Sequence, residues 1–288
     1  MIEIWLIFAI GTILCYSTAQ QFSKKGVLLL GSYKTGILYS IASVVIQTSY
    51  WLLLPDSVPN SAIGIIIAIF AGIIGALGFV FYIFALKIGK VSVVSVMTAG
   101  YPAVSVTLAI LFLGDFLTVT QFLAIIMIIG AMILLSGLES RHTHNEDGTP
   151  KNRRWLFWGF MSLIFWGLWA IPSKVAIETI GEGDYILIDG LSMLVVWVPL
   201  WLWFEKGRMD RDIHKLKYSS FAGVMASLGT VSLFLALSNG IVSLVTPLTS
   251  VYPIITVLLA RFTLKERLEW IQYLAVAIAV AGTVLLSF

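Results

Sequence analysis

Residues 248–286 read LTSVYPIITVLLARFTLKERLEWIQYLAVAIAVAGTVLL, and residues 97–135 read MTAGYPAVSVTLAILFLGDFLTVTQFLAIIMIIGAMILL. Shifted by 151 positions, the two align without a gap. Thr98 falls on Thr249, Tyr101-Pro102 on Tyr252-Pro253, Gln121 on Gln272, and Leu134-Leu135 on Leu285-Leu286. Each stretch joins two apolar runs of roughly 20 residues, the length that crosses a bilayer as helix. Each places a proline inside its first run, where it removes a helical hydrogen bond. A helix-disturbing pattern that recurs in matching membrane-length runs predicts an all-α integral membrane protein made twice from one unit.

The register continues upstream. Leu77-Gly78 meets Leu228-Gly229, Gly89 meets Gly240 and Ser92 meets Ser243, while a shift of 150 pairs Trp5 with Trp155 and Ser23-Lys24 with Ser173-Lys174. The chain is 59% hydrophobic and 11% charged, with mean hydropathy +0.98; a soluble domain is about one-quarter charged. Ten spans are predicted, at 4–22, 33–54, 62–86, 91–113, 118–138, 155–175, 185–204, 218–237, 241–261 and 268–288. Turn chemistry separates them in LPDSVPN, KIGK, LGD, GEGD and SNG. The hydrophilic segment 140–154, SRHTHNEDGTPKNRR, reads as a cytoplasmic linker between a first repeat, 1–139, and a second, 155–288. The start MIEIWLIFAIG lacks the basic region of a signal peptide and is expected to be a retained first helix.

Five spans is an odd number, so the repeats must enter the membrane from opposite sides. Charge supports this. Lys24, Lys25 and Lys34 lie between spans 1 and 2, Lys87 and Lys90 between 3 and 4, and Arg141, Lys151, Arg153 and Arg154 between 5 and 6. Lys206, Arg208, Arg211, Lys215 and Lys217 follow span 7, and Lys265 and Arg267 follow span 9. The alternate loops carry almost no positive charge; the one after span 6 holds Lys174 with Glu178, Glu182 and Asp184. The positive-inside rule makes the basic loops cytoplasmic and both termini external, in a cell membrane. Loops that swap charge between halves are the signature of an inverted repeat.

The order of these features resembles the drug/metabolite transporter superfamily, in its ten-helix EamA-type branch. The resemblance rests on the two stretches quoted first and on WLFWGFMSLIFWGLWAIPSKVA, and it covers the whole chain. The family pattern has proline in the fourth and ninth helices, Leu-x-Glu near the helix end, then Gln and Gly. Leu264, Glu266, Gln272 and Gly282 match it, as do Leu113 and Gln121, while Asp115 stands in place of Glu. The resemblance implies a secondary transporter or exchanger of metabolites. Relatives carry Arg near the start of the seventh helix where this chain has Asp189, so their substrate charge preference does not carry over.

Candidate site residues follow from the matched prolines. Pro102 and Pro253 should kink their helices, freeing the carbonyls of Thr98 and Thr249. Paired interruptions in two repeats point to a central site. Ser95, Thr98, Pro102 and Ser105 share a face, as do Thr246, Thr249, Pro253 and Thr256, with Tyr101 and Tyr252 at the edge. Two readings stay open: polar stripes on a shared cavity, or helix packing with hydroxyls bonded to preceding carbonyls. Tyr16 and Gln20 lie on one face of the first span, and Trp166 and Trp169 in the sixth. They form either an aromatic wall suited to stacking or a cationic ligand, or interfacial anchors.

Asp189, the one acid clearly inside a span, sits about one turn from its outer end. It is a coupling candidate for a proton or cation, or a shallow hydrated carboxylate. Lys174 attracts anionic groups or snorkels. Gly72, Gly75 and Gly78 read as a close-packing seam.

Cys15 is the single cysteine, and His142, His144 and His214 fall in polar loops, so no metal site is expected. No P-loop, HExxH or nucleophile elbow occurs, so neither ATP coupling nor catalysis is expected, and no cofactor. The expected partners are a small-molecule substrate and the lipid bilayer, with no nucleic acid; monomer and homodimer both remain open. The expected function is a secondary transporter of a small polar metabolite working by alternating access. The alternative is a lipid flippase or small-molecule channel on the same fold.

Overall fold

A computed structural model describes residues 4–53, 61–105, 108, 118–120, 122–124, 126–128, 130–131, 134, 154–239, 245, 248–265 and 269–285. The linker residues 140–153, Leu113, Asp115, Gln121, Thr246 and Glu266 lie outside them, as does part of the fifth span. The described chain is helical: α1 (Ile4–Leu30), α2 (Ser32–Leu53), α3 (Ala62–Ile88), α4 (Val91–Thr98), α5 (Arg154–Ile180), α6 (Glu182–Glu205), α7 (Ile213–Asn239), α8 (Pro253–Thr263) and α9 (Trp270–Leu285). Six of these, α1–α3 and α5–α7, are long and apolar enough to cross a membrane. At about 1.5 Å per residue, the 27 residues of α1 reach about 40 Å.

The burial pattern fits a lipid solvent. In α1 the large apolar side chains of Ile4, Ile7, Ile10 and Leu14 face outward, while Thr12, Ser17, Gln20 and Gln21 are buried. Lipid tails are as apolar as leucine, so burying a leucine gains little there, whereas a polar group must find a protein partner.

The turns repeat as the sequence does. Gly31 separates α1 from α2 at φ +85°, and Gly181, 150 residues on, separates α5 from α6 at φ +87°. That left-handed backbone turns the chain through one residue and favours glycine at both places. Helix packing repeats too. The largest interfaces, α1 with α7 and α3 with α5, exchange when the halves are exchanged. The α2–α7 and α3–α6 contacts exchange likewise, and α2–α6 maps onto itself.

Three sequence expectations are corrected. The first span does not end at 22; α1 runs on to Leu30 because Lys24 is no loop residue. Its Nζ donates to Leu86 O at 2.6 Å and Gly89 O at 2.7 Å, capping the carbonyl end of α3 with a cation. The GEGD break shrinks to Gly181 alone. Glu182 and Asp184 belong to the first turn of α6, where acids are favourable, and take hydrogen bonds from Tyr50 Oη at 3.1 Å and Trp51 Nε1 at 2.8 Å. The proline positions are not kinks inside continuous helices. α4 stops at Thr98, a turn covers 99–100, and helix resumes over 101–105; residues 250–252 form the matching turn and Pro253 is the first residue of α8. A proline in the first turn gives up an N–H that has no helical acceptor anyway.

Candidate functional site

The two TxxYP turns face each other across the centre of the molecule. The Tyr101 hydroxyl lies beside the side chains of Thr249 and Ser250, and that of Tyr252 beside those of Thr98 and Gln20. Each tyrosine thus faces the threonine of the opposite motif. Side chains of neighbouring helices bond to the backbone around the breaks and across to α5. Ser17 Oγ donates to Tyr252 O at 3.0 Å, Gln21 Nε2 to Thr256 O at 2.7 Å, and Ser105 Oγ to Gly167 O at 3.1 Å. Irregular backbone at membrane depth survives where protein satisfies it. The Thr249 carbonyl, expected to be free, lies 3.4 Å from the Tyr252 N–H that it accepts.

Beside this junction lies a cavity of about 160 Å³ walled by α1, α2, α3, α5, α6, α7 and the two turns. Of the candidates named from sequence, Tyr16, Gln20, Tyr101, Trp166, Trp169, Asp189, Thr249 and Tyr252 line it. Ser95 and Thr98 do not. Both are buried behind the wall: Ser95 donates to Gln20 Oε1 and to Val91 O, and Thr98 Oγ1 donates to Val94 O at 3.0 Å. For these two hydroxyls, bonding to preceding carbonyls is what the structure shows, and they hold wall residues in place. Lys174 also lies off the cavity, paired with Glu178 at 3.1 Å on the exposed end of α5. Pro102 and Pro253 are buried helix restarts.

The wall maps onto itself under the sequence repeat. Tyr16 and Trp166, Tyr39 and Asp189, Phe79 and Thr230, and Tyr101 and Tyr252 are counterparts by the shifts of 150 and 151, and all eight line the cavity. Glycines seat the aromatic pair. A Cβ at Gly78 would stand 2.5 Å from Trp166 Cδ1, and one at its counterpart Gly229 2.7 Å from Tyr16 Cδ1. Helix backbones can therefore close on the ring planes only because no side chain intervenes.

Hydrogen bonds then orient the rings. Tyr16 Oη pairs with Thr230 Oγ1 at 3.1 Å, and Trp166 Nε1 donates to Gly75 O at 3.3 Å. Trp169 Nε1 donates to Tyr185 Oη at 3.1 Å, whose hydroxyl donates to Ser173 Oγ at 2.6 Å. Tyr16 and Tyr252 meet edge to face with centroids 6.0 Å apart.

Asp189 lies seven residues after Glu182, two turns into α6 rather than one, with its carboxylate on the wall. Gln47 Nε2 donates to its Oδ2 at 3.3 Å. Among the described residues no Lys, Arg or His lines the cavity. Among the described residues no group of His, Cys, Asp and Glu is arranged to hold a metal.

Sequence reasoning missed Tyr39, Ser43, Phe79, Tyr82 and Thr230, which complete the wall. The repeat itself was the usable signal, since Tyr39 and Thr230 are the counterparts of Asp189 and Phe79.

An uncharacterized protein of Methanocaldococcus jannaschii is 28% identical over 129 residues, covering 45% of this chain and 93% of that protein, about one half of the present molecule. A solved crystal structure superposes with a TM-score of 0.68 over 97% of this chain and 94% of that one, at 14% identity, and shares the fold. The EamA-like transporter family profile matches residues 3–137 and again 153–288. With two matched halves, long apolar helices and polar groups turned inward, the chain is a multi-pass membrane protein that belongs to the EamA-like transporter family.

Proposed function

We propose that this protein is a secondary transporter or exchanger that moves a small polar metabolite by alternating access about the central cavity. One observation carries the reading: the wall is built from counterpart residues of the two halves, so one site sits where the halves meet. Ten spans in two inverted five-helix repeats, 1–139 and 155–288 joined by 140–154, account for the exchanging interfaces and the alternating loop charge. Basic loops then face the cytoplasm and both termini face outward, in the cell membrane.

In this reading, rocking of one half against the other would break the reciprocal tyrosine–threonine bonds on one side and remake them on the other. The breaks before Pro102 and Pro253 serve as hinges, because a helix restart absorbs φ/ψ changes at little cost. Tyr16, Gln20, Tyr101, Trp166, Trp169, Thr249 and Tyr252 contact substrate; Ser95 and Thr98 support them from behind. Thr246 is kept as a further substrate-contact candidate. Asp189 is the coupling or binding charge, and Lys174 an external surface charge. The protein acts as a carrier without cofactor or bound metal, as monomer or homodimer.

A flippase or channel is the alternative. The cavity volume, about 160 Å³, is below the roughly 300–1,000 Å³ of drug-sized pockets and suits a small metabolite better than a lipid. Uptake into proteoliposomes of radiolabelled amino acids, sugars, nucleosides and amines tests the proposal. A carrier accelerates uptake when the same solute is loaded inside; a channel does not. Flux without such counterflow would refute the carrier reading.

A further inference from the structure

The cavity is matched half to half except in charge. Where the first half places the ring of Tyr39, the second places the carboxylate of Asp189. That carboxylate receives a neutral amide from Gln47 at 3.3 Å, and among the described residues no basic side chain lines the wall to balance it. A carboxylate half-buried in the protein without a cation is costly to keep ionised, and a ligand cation lowers that cost. The rest of the wall suits the same partner. The rings of Tyr16, Tyr39, Trp166 and Trp169 line one small volume, and aromatic rings attract ammonium groups.

A second observation also points to a ligand. Tyr82 lines the cavity at 3% exposure, yet its hydroxyl has no hydrogen-bond partner among the described residues. Buried hydroxyls are normally satisfied, and a ligand atom would satisfy this one. Beside Asp189, the Oε1 of Gln47 is likewise buried and unpartnered.

We propose that the cavity binds a small monovalent organic cation, its positive centre at Asp189 among the aromatic rings and a hydrogen-bonding atom at the Tyr82 hydroxyl. This deepens the transport reading and rests on it. A ligand carboxylate would meet Asp189 as a like charge with no basic residue to screen it, so zwitterions and organic anions are disfavoured.

Isosteres test the charge directly. Purified full-length protein in lipid nanodiscs is titrated with methylammonium, tetramethylammonium, ethanolamine, choline, the uncharged choline isostere 3,3-dimethyl-1-butanol, and glycine betaine. Binding is read by calorimetry and by tryptophan fluorescence, since Trp166 and Trp169 line the site. At least one of the four cations binds, and choline binds at least about 10-fold tighter than its neutral isostere or betaine. Asp189→Asn keeps an oxygen for Gln47 and weakens cation binding at least about 10-fold, leaving the neutral isostere unchanged. Tyr82→Phe weakens choline several-fold and spares tetramethylammonium, which has no hydrogen-bonding atom.

The proposal falls if none of the four cations binds, if the neutral isostere matches choline, or if Asp189→Asn binds cations as the wild type does. Should Asp189→Asn not fold, the comparison of choline with its isostere on wild-type protein still decides. Proteoliposome flux separates the two readings. A cation that binds but is never carried sinks transport and leaves the cation site; a neutral solute carried while cations are ignored does the reverse.

Discussion

Removing the hydroxyl of Tyr252 should cost as much as removing that of Tyr101. Each hydroxyl crosses between the halves toward two polar side chains with which it can pair: Tyr101 toward Thr249 and Ser250, Tyr252 toward Thr98 and Gln20. Hydrogen bonds between membrane helices average about 0.6 kcal/mol, so each pair is worth about 1 kcal/mol. The partners left behind limit any further penalty. Thr98 Oγ1 keeps Val94 O at 3.0 Å and Ser95 O at 3.2 Å, Gln20 Oε1 keeps Ser95, and Thr249 Oγ1 keeps Val245 O at 2.9 Å.

Tyr101→Phe and Tyr252→Phe are therefore each expected to lose about 1 kcal/mol. Their double variant should fall short of or exceed the sum, because the two tyrosines share one junction. Equilibrium unfolding in mixed detergent micelles reads all three. Wild-type stability in either single variant, or a loss in one and none in the other, would refute the reciprocal bonding.

Other outcomes follow from the packing. Gly78→Leu and Gly229→Leu should each destabilise by about 1–3 kcal/mol through overpacking of Trp166 and Tyr16. Gly130→Ala, where an added Cβ meets nothing within 4 Å, should be neutral or slightly stabilising; thermal unfolding in detergent compares the three. Lys24→Met removes two bonds at 2.6 and 2.7 Å. It should destabilise the α1–α3 contact by about 1.5–3 kcal/mol, since water reaches this helix end and restores part of the loss; hydrogen exchange at the end of α3 should rise, and unchanged protection would refute the cap.

Much of this molecule can be read from its residues because the repeat leaves a record twice. The TxxYP pairs, the Gly78–Gly229 register and the Ser23-Lys24 match each identify a structural counterpart. Lone polar residues in long apolar runs were harder. In α3 both the lipid face and most of the cavity face, Gly75, Ala76 and Phe79, are apolar, so helical periodicity does not separate Tyr82 from an interfacial aromatic.

Lys24 misled for a related reason. A lysine beside another lysine looks like the start of a loop, and nothing local says that it reaches the end of a helix some 60 residues away in sequence. Ser95 and Thr98 are buried, but being buried does not place a hydroxyl on the cavity. A serine or threonine within one turn of a carbonyl is drawn back to it, and the larger tyrosines then form the wall.

The central claim is that the cavity shared by the two halves is the transport site. Counterflow of the carried solute into proteoliposomes containing wild type, Trp166→Ala, Tyr101→Ala or Tyr252→Ala tests it most directly. The account predicts solute-accelerated uptake in wild type and its loss, by about 10-fold or more, in each cavity variant that still folds. Full counterflow in all three variants would contradict it.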